Sequence, residues 1–327
     1  MKNGYRRFQI YLDQLTEMMN KAEVQENPAL WLFRNNARTS FFMLEALARL
    51  YGKVHDKKTF CKLRDQFKQA EDWLGKIDYY KWLVDSLAVQ KQIPDNYLVF
   101  VRTRLDSSTA QFNEILYAEG WISDDHKRIR KVIKKLKAAD WPSSKKEIEA
   151  FEDIYKSAIK SIEKFVNAMD YHFDNVEEDV HELRRKLRWL SIYPQALQGA
   201  IRYASQDDRE PHLQKYLTPE IVNSPYNKLP ESDITPVLLL RKNYFLSLSW
   251  IIARLGELKD EGLLITGLSE AIENTDSVPS KDAIVKSVAL LGKSENPMDR
   301  ILRESEEIVR TYFMEENLQN LIMKSKS

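Results

Sequence analysis

Residues 176–190 read Val-Glu-Glu-Asp-Val-His-Glu-Leu-Arg-Arg-Lys-Leu-Arg-Trp-Leu, and their spacing decides the kind of chain this is. On a helix of 3.6 residues per turn, positions i, i+3, i+4 and i+7 share a face. His181, Arg184, Arg185 and Arg188 fall together on one side, and Val176, Val180, Leu183, Leu187 and Leu190 fall on the other. The pattern predicts an amphipathic helix with a core face and an opposite cation stripe. The planar fork of arginine pairs with two phosphate oxygens at once, so such a stripe suits a phosphorylated anion. A solvated surface helix shows the same segregation, and Glu177 with His181 or Glu182 with Lys186 are spaced as ordinary intrahelical pairs. Glu178 and His181 also form the Glu-x-x-His half of a di-metal carboxylate bundle, but no second Glu-x-x-His occurs in the chain.

The same helical period runs through the rest of the 327 residues, which are 43% hydrophobic with only nine Gly and eleven Pro, a balance that favours an all-α fold with a real core. Fifty Lys and Arg against 49 Asp and Glu leave a formal net charge of +1, so a polyanion partner would be held by a local patch and nucleic acid is not expected. The single cysteine, Cys61, permits no internal disulfide and suits a reducing compartment. No apolar run approaches the roughly 18–20 residues of a membrane span. The first thirteen residues lack an apolar stretch of signal-peptide type, so a cytoplasmic protein is expected.

Apolar spacing predicts helices over 4–23, over 28 to about 51 behind the cap Asn27-Pro28, and over 57–74, ending at Gly75. Further helices are expected over 78–91, 95–119 and 124–138. The last contains the most basic run of the chain, His126 to Lys137, with Ile129, Val132, Ile133 and Leu136 on its apolar face. A solvated lysine face is the plainer reading of that run, while a membrane surface, nucleic acid or a phosphate polymer are the partners such a helix meets. Asp140-Trp-Pro-Ser-Ser144 is the clearest punctuation and sets the boundary between halves 1–141 and 142–327. In the second half a helix is expected over 144–171. Asp174 and Glu177 read as the capping box of the next, which passes a Pro194 kink to about Ala204. A proline-rich insertion follows at about 207–236, helical spacing resumes from Leu238 to Leu258, two or three helices fill 261–322, and Lys324 to Ser327 form a frayed tail.

The halves can be superposed as an internal repeat. Arg34 and Arg38 match Arg184 and Arg188 at an offset of 150 (188 − 38), and Asp72 matches Asp260 at an offset of 188 (260 − 72). The excess of 38 falls at the proline-rich insertion. Val180-His181-Glu182-Leu183-Arg184, followed by Arg188, resembles the signature helix of the CHAD domain, a histidine-bearing α-helical domain, and the order of elements is similar over about residues 5–322. The resemblance implies two pseudo-symmetric four-helix-bundle-like halves with a basic groove between them that binds inorganic polyphosphate. It assigns that role to Arg34, Arg38, His181, Arg184, Arg185 and Arg188. Trp31 stands where the family has its first histidine, Thr39 and Trp189 replace basic residues, and Glu71 precedes Asp72 where Lys259 precedes Asp260.

No Gly-rich phosphate loop, zinc-spaced Cys and His set or Gly-x-Ser-x-Gly elbow is present. The tunnel-enzyme signature Glu-x-Glu-x-Lys has one partial match, Glu147-Ile-Glu149-Ala-Phe151, with Phe at the lysine position. His55, His126, His172 and His212 are scattered, and no two carboxylates are placed together. The expectation is therefore a non-catalytic module without cofactor or metal that binds polyphosphate or another phosphorylated anion. The other reading is a protein-interaction scaffold of the same fold that has lost the anion site.

Overall fold

The computed structural model describes residues 2–123, 125–205, 210–233, 235–293 and 297–323; the tail Lys324 to Ser327 and part of the 207–236 insertion lie outside them. The chain is an all-α helical bundle with one short two-stranded sheet. It divides into two compact units, Met1–Trp141 with Leu263–Asn296, and Pro142–Gly262 with Pro297–Ser327. The second half expected as 142–327 is thus narrower than its boundary suggests, because 263–296 pack with the first unit.

In the first unit, α1 (Asn3–Glu23) packs on α3 (Ala37–Val54), and α4 (Lys57–Ala88) packs between α3 and α5 (Asp95–Ala118). The spacing predicts one helix from Pro28 to about Tyr51, but the backbone breaks. Asn36 takes φ 58°, ψ 30°, which ends α2 (Pro28–Arg34) before α3 begins. Asparagine tolerates this left-handed conformation better than most residues because its short side chain bonds locally. Gly75, expected as a helix end, lies inside the single helix α4. Asn27 caps α2 through Leu30 N–H, and Asn113 of α5 accepts from Ala29 N–H at 2.7 Å. The helix α6 (Lys127–Ala138) lies on α1 and buries Ile129, Val132 and Leu136. Behind it, Phe8, Tyr51, Phe60 and Trp141 form an aromatic cluster with ring centroids 4.9–6.0 Å apart.

In the second unit, α7 (Ser144–Ala168) packs against α8 (Glu182–Ala196). Residues Val176–His181 form a π-helical turn, with Val180 N–H donating to the Asn175 carbonyl five residues back. The capping pair is Asn175 with Asp179, not Asp174 with Glu177 as expected. Asn175 accepts from Glu177 and Glu178 N–H, while the Asp179 carboxylate reaches back to Asp174 and Asn175 N–H. Nor does α8 run to Ala204. Gln198 and Gly199 both take positive φ, and Ile201–Tyr203 (β1) pairs in parallel with Leu238–Leu240 (β2), in the register Ile201↔Leu238. Between the strands come short proline-started turns and α9 (Pro219–Asn223). Glu210 ties the insertion to Arg241 and Tyr244, and Glu315 ties it to Lys215 and Tyr216.

The long helix α10 (Lys242–Asp276) belongs to the second unit up to Gly262 and to the first from Leu263. In the first unit, Leu268, Ala271 and Ile272 of α10 join Tyr80, Leu83, Leu87, Tyr97 and Val101, with Ala283 of α11 (Ser280–Leu290). In the second, Leu258 of α10 meets Val176 and Ile301 of α12 (Pro297–Met314).

Burial repeats between the units. Ala37, Phe41, Leu44 and Leu47 are buried on α3, as are Leu183, Leu187, Leu190 and Tyr193 on α8, an offset of 146 (183 − 37). Leu63, Phe67, Ala70, Leu74 and Ile77 of α4 match Tyr244, Leu248, Ile251, Leu255 and Leu258 of α10, an offset of 181 (244 − 63). Buried positions of the paired helices therefore align at offsets of 146 and 181, not at the 150 and 188 that the arginine and aspartate spacing implies.

Gly267 tests how tightly the first unit is packed, since a Cβ there would lie 2.6 Å from Leu83 Cδ2 and 2.7 Å from the Tyr79 hydroxyl. Alanine in a helix interior normally gains up to about 1 kcal/mol over glycine. Gly267→Ala should instead lose about 1–2 kcal/mol, because overpacking outweighs propensity. Urea denaturation measures the sign.

Candidate functional site

An arginine lies against a helical glycine in each unit. Arg38 on α3 covers Gly75, where a Cβ would sit 2.7 Å from its Nη2. Arg184 on α8 covers Gly256, where a Cβ would sit 3.0 Å from its Nε and 3.1 Å from its Nη2. In both cases Nε donates to the residue one turn before the glycine: to Glu71 Oε1 at 2.7 Å, and to the Ile252 carbonyl at 3.0 Å. The contacts therefore equate Arg38 with Arg184, and not with Arg188 as the Arg-x-x-x-Arg spacing implies. Arg34 has no such role. The break at Asn36 leaves it exposed in the last turn of α2, off the helix that carries Arg38, and it makes no side-chain ion pair among the described residues.

The surroundings of the two arginines differ in charge. Arg38 is held between Glu71 and Asp78, with Nη1 2.8 Å from Asp78 Oδ2, and the Glu71 side chain is only 8% exposed. Beside it Glu45, 2% exposed, pairs with Arg49 at 2.8 Å. Burial pushes the Glu45 carboxyl above its usual range, Arg49 opposes this, and neighbouring Glu71 adds to it. The first unit thus spends its arginine on carboxylates. In the second unit the positions of Glu71 and Asp78 are occupied by Ile252 and Lys259, both at the offset of 181 (252 − 71, 259 − 78). A lysine replaces an aspartate one turn beyond the glycine.

Lys259 is 14% exposed and pairs with Asp260 at 2.8 Å. Together with Arg184 and Arg185 it acts on His181, which closes the π turn. The His181 imidazole is held below its ordinary value, first by burial, with Glu177 opposing and Lys259, Arg184 and Arg185 adding to the fall. Its Nδ1 is buried without a hydrogen bond, and Glu177 Oε2 is 3.7 Å away. The structure thus gathers His181, Arg184 and Lys259, and sets Arg185 at the edge, 58% exposed and 2.5 Å from Glu182. Arg188 is half-buried two turns from His181, and its carbonyl accepts from Ser191. Lys259 was legible in the sequence from Glu71-x-x-x-Gly75-x-x-Asp78 set beside Ile252-x-x-x-Gly256-x-x-Lys259.

Chemically this is a half-buried group of donors around one neutral imidazole, suited to receiving negative charge. Among the described residues no group of three or more His, Cys, Asp or Glu side chains could hold a metal ion, and no helix is long and apolar enough to cross a membrane. No family model, curated protein or solved structure matches the chain.

Two measurements check these environments. Arg38→Leu should leave Glu71 buried beside no cation and cost about 1–3 kcal/mol, with Arg38→Lys between it and wild type, by chemical denaturation. For His181 the folded value lies below the unfolded one, so the unfolded chain binds the extra proton. Stability is then full above about pH 6.5 and falls as pH drops through the window beneath it. His181→Asn should flatten that part of the stability curve, and NMR titration should place the His181 midpoint below that of a free histidine.

Proposed function

We propose that the chain is a non-catalytic, CHAD-like helical module that binds a phosphorylated anion at His181, Arg184 and Lys259, with inorganic polyphosphate the ligand class that its signature helix suggests. The observation that carries this reading is the charge reversal between the units. The glycine-seated arginine of the first is flanked by Glu71 and Asp78, and that of the second by an uncharged position and Lys259. A site kept only for packing would not need its acid exchanged for a base. The depressed imidazole adds to it, because a bound phosphate favours the protonated ring and supplies the charge that burial withholds. Two cations and an imidazole that a bound anion would protonate form a small set, so affinity in the micromolar to millimolar range is expected, roughly 4–8 kcal/mol.

A scaffold without anion affinity is the second reading, favoured by the net charge of +1 and by the carboxylates that occupy Arg38. Calorimetric titration of the full chain with orthophosphate and with polyphosphate of defined length, at two salt concentrations, separates the two. The anion reading expects saturable binding that weakens with a salt slope of roughly two to three, given about 0.7–0.9 per neutralised phosphate. Lys259→Gln should lose about tenfold in affinity. Anion binding should also raise the His181 midpoint. No heat and no histidine shift at low salt would leave the scaffold.

A further inference from the structure

The basic helix α6 has no part in the site above. Of its seven cations, Arg128 is engaged by Glu119 and Arg130 by Asp125. The ammonium groups of Lys127, Lys131, Lys134, Lys135 and Lys137 make no ion pair among the described residues, and all five side chains are exposed. The helix carries no acid of its own. In a chain whose formal charge is +1, five uncompensated lysines on twelve residues are a strong local field.

We propose that the outer face of α6 is an electrostatic docking surface for an anionic lipid bilayer. Its apolar side is already used, with Ile129 2%, Val132 0% and Leu136 1% exposed, so α6 has no free stripe to insert and the contact stays at the headgroups. The uncompensated cations are all lysines, flexible point charges without the planar fork that grips one phosphate or reads a guanine edge. No aromatic residue lies on α6 to stack on a base. At roughly 100° per residue, Lys127, Lys131 and Lys134 lie within about 40° of the outward direction, and Lys135 and Lys137 about 80° to either side. A stiff file of phosphates, as on a duplex, follows only the central three. A fluid surface gathers acidic headgroups around all five.

The test is co-sedimentation of the full chain with vesicles of phosphatidylcholine alone, and with vesicles containing roughly one-third phosphatidylserine, at low and high salt. Binding is expected only to the acidic vesicles and should be lost in high salt. Lys131→Glu/Lys134→Glu/Lys135→Glu should bind about tenfold or more weakly, while its circular dichroism stays that of wild type. If that variant does not fold, Lys127→Gln/Lys131→Gln replaces it, with a smaller loss in the same direction. Lys259→Gln should bind vesicles like wild type, which keeps this result apart from the fate of the anion site in the second unit. Absence of binding to acidic vesicles at low salt, insensitivity to the lysine substitutions, or tighter binding to a duplex DNA oligomer in the same buffer would each overturn the proposal.

Discussion

A guanidinium resting on a helical glycine is the contact on which the rest of each unit turns. Glycine normally costs a helix up to about 1 kcal/mol relative to alanine, yet here a β-carbon would occupy the space of the arginine head. Once the head is seated, its geometry fixes what it can meet. Nε faces the residue one turn before the glycine, and the position one turn after it stands beside the group. The fold repeats the seat and leaves the occupants of those two positions to decide the chemistry. Glu71 and Asp78 turn it into a closed ionic clasp, while in the second unit the same two positions hold Ile252, which offers only its backbone carbonyl, and Lys259, whose own partner is Asp260.

Much of this was legible in the sequence, because 3.6-residue periodicity fixes which side chains are buried before any tertiary contact is known. The apolar face of 176–190 is buried at Val176, Val180, Leu183, Leu187 and Leu190. What failed was local backbone choice at single residues. Asn36 breaks a run whose side chains read as continuous helix, and Gly75 continues one at a residue that reads as a stop. The π turn at 176–181 has no compositional signature, since one extra residue per turn is a matter of hydrogen bonding. The alignment of the two halves was not fixed by the sequence spacing. Two arginines four residues apart offer two alignments, and only the glycine on another helix selects between them.

Overall neutrality conceals an uneven distribution of charge. Lysines and arginines equal acids to within one residue over the chain, yet Arg38, Arg49 and Lys68 are matched to carboxylates while α6 carries five exposed lysines that are not. Screening at physiological ionic strength acts over about 8 Å, so such local groupings, and not the sum, determine what each surface attracts.

The division of α10 has a bearing on the order of events during synthesis. Domains generally consolidate as they emerge, N-terminal first. Here residues 1–141 leave the ribosome without Leu268, Ala271 and Ile272, which complete the cluster around Leu83 and Tyr97. The first unit must therefore wait, with that cluster open, until the 142–262 segment of the other has been translated. A nascent chain stalled before residue 263 would expose an apolar surface that chaperones recognise.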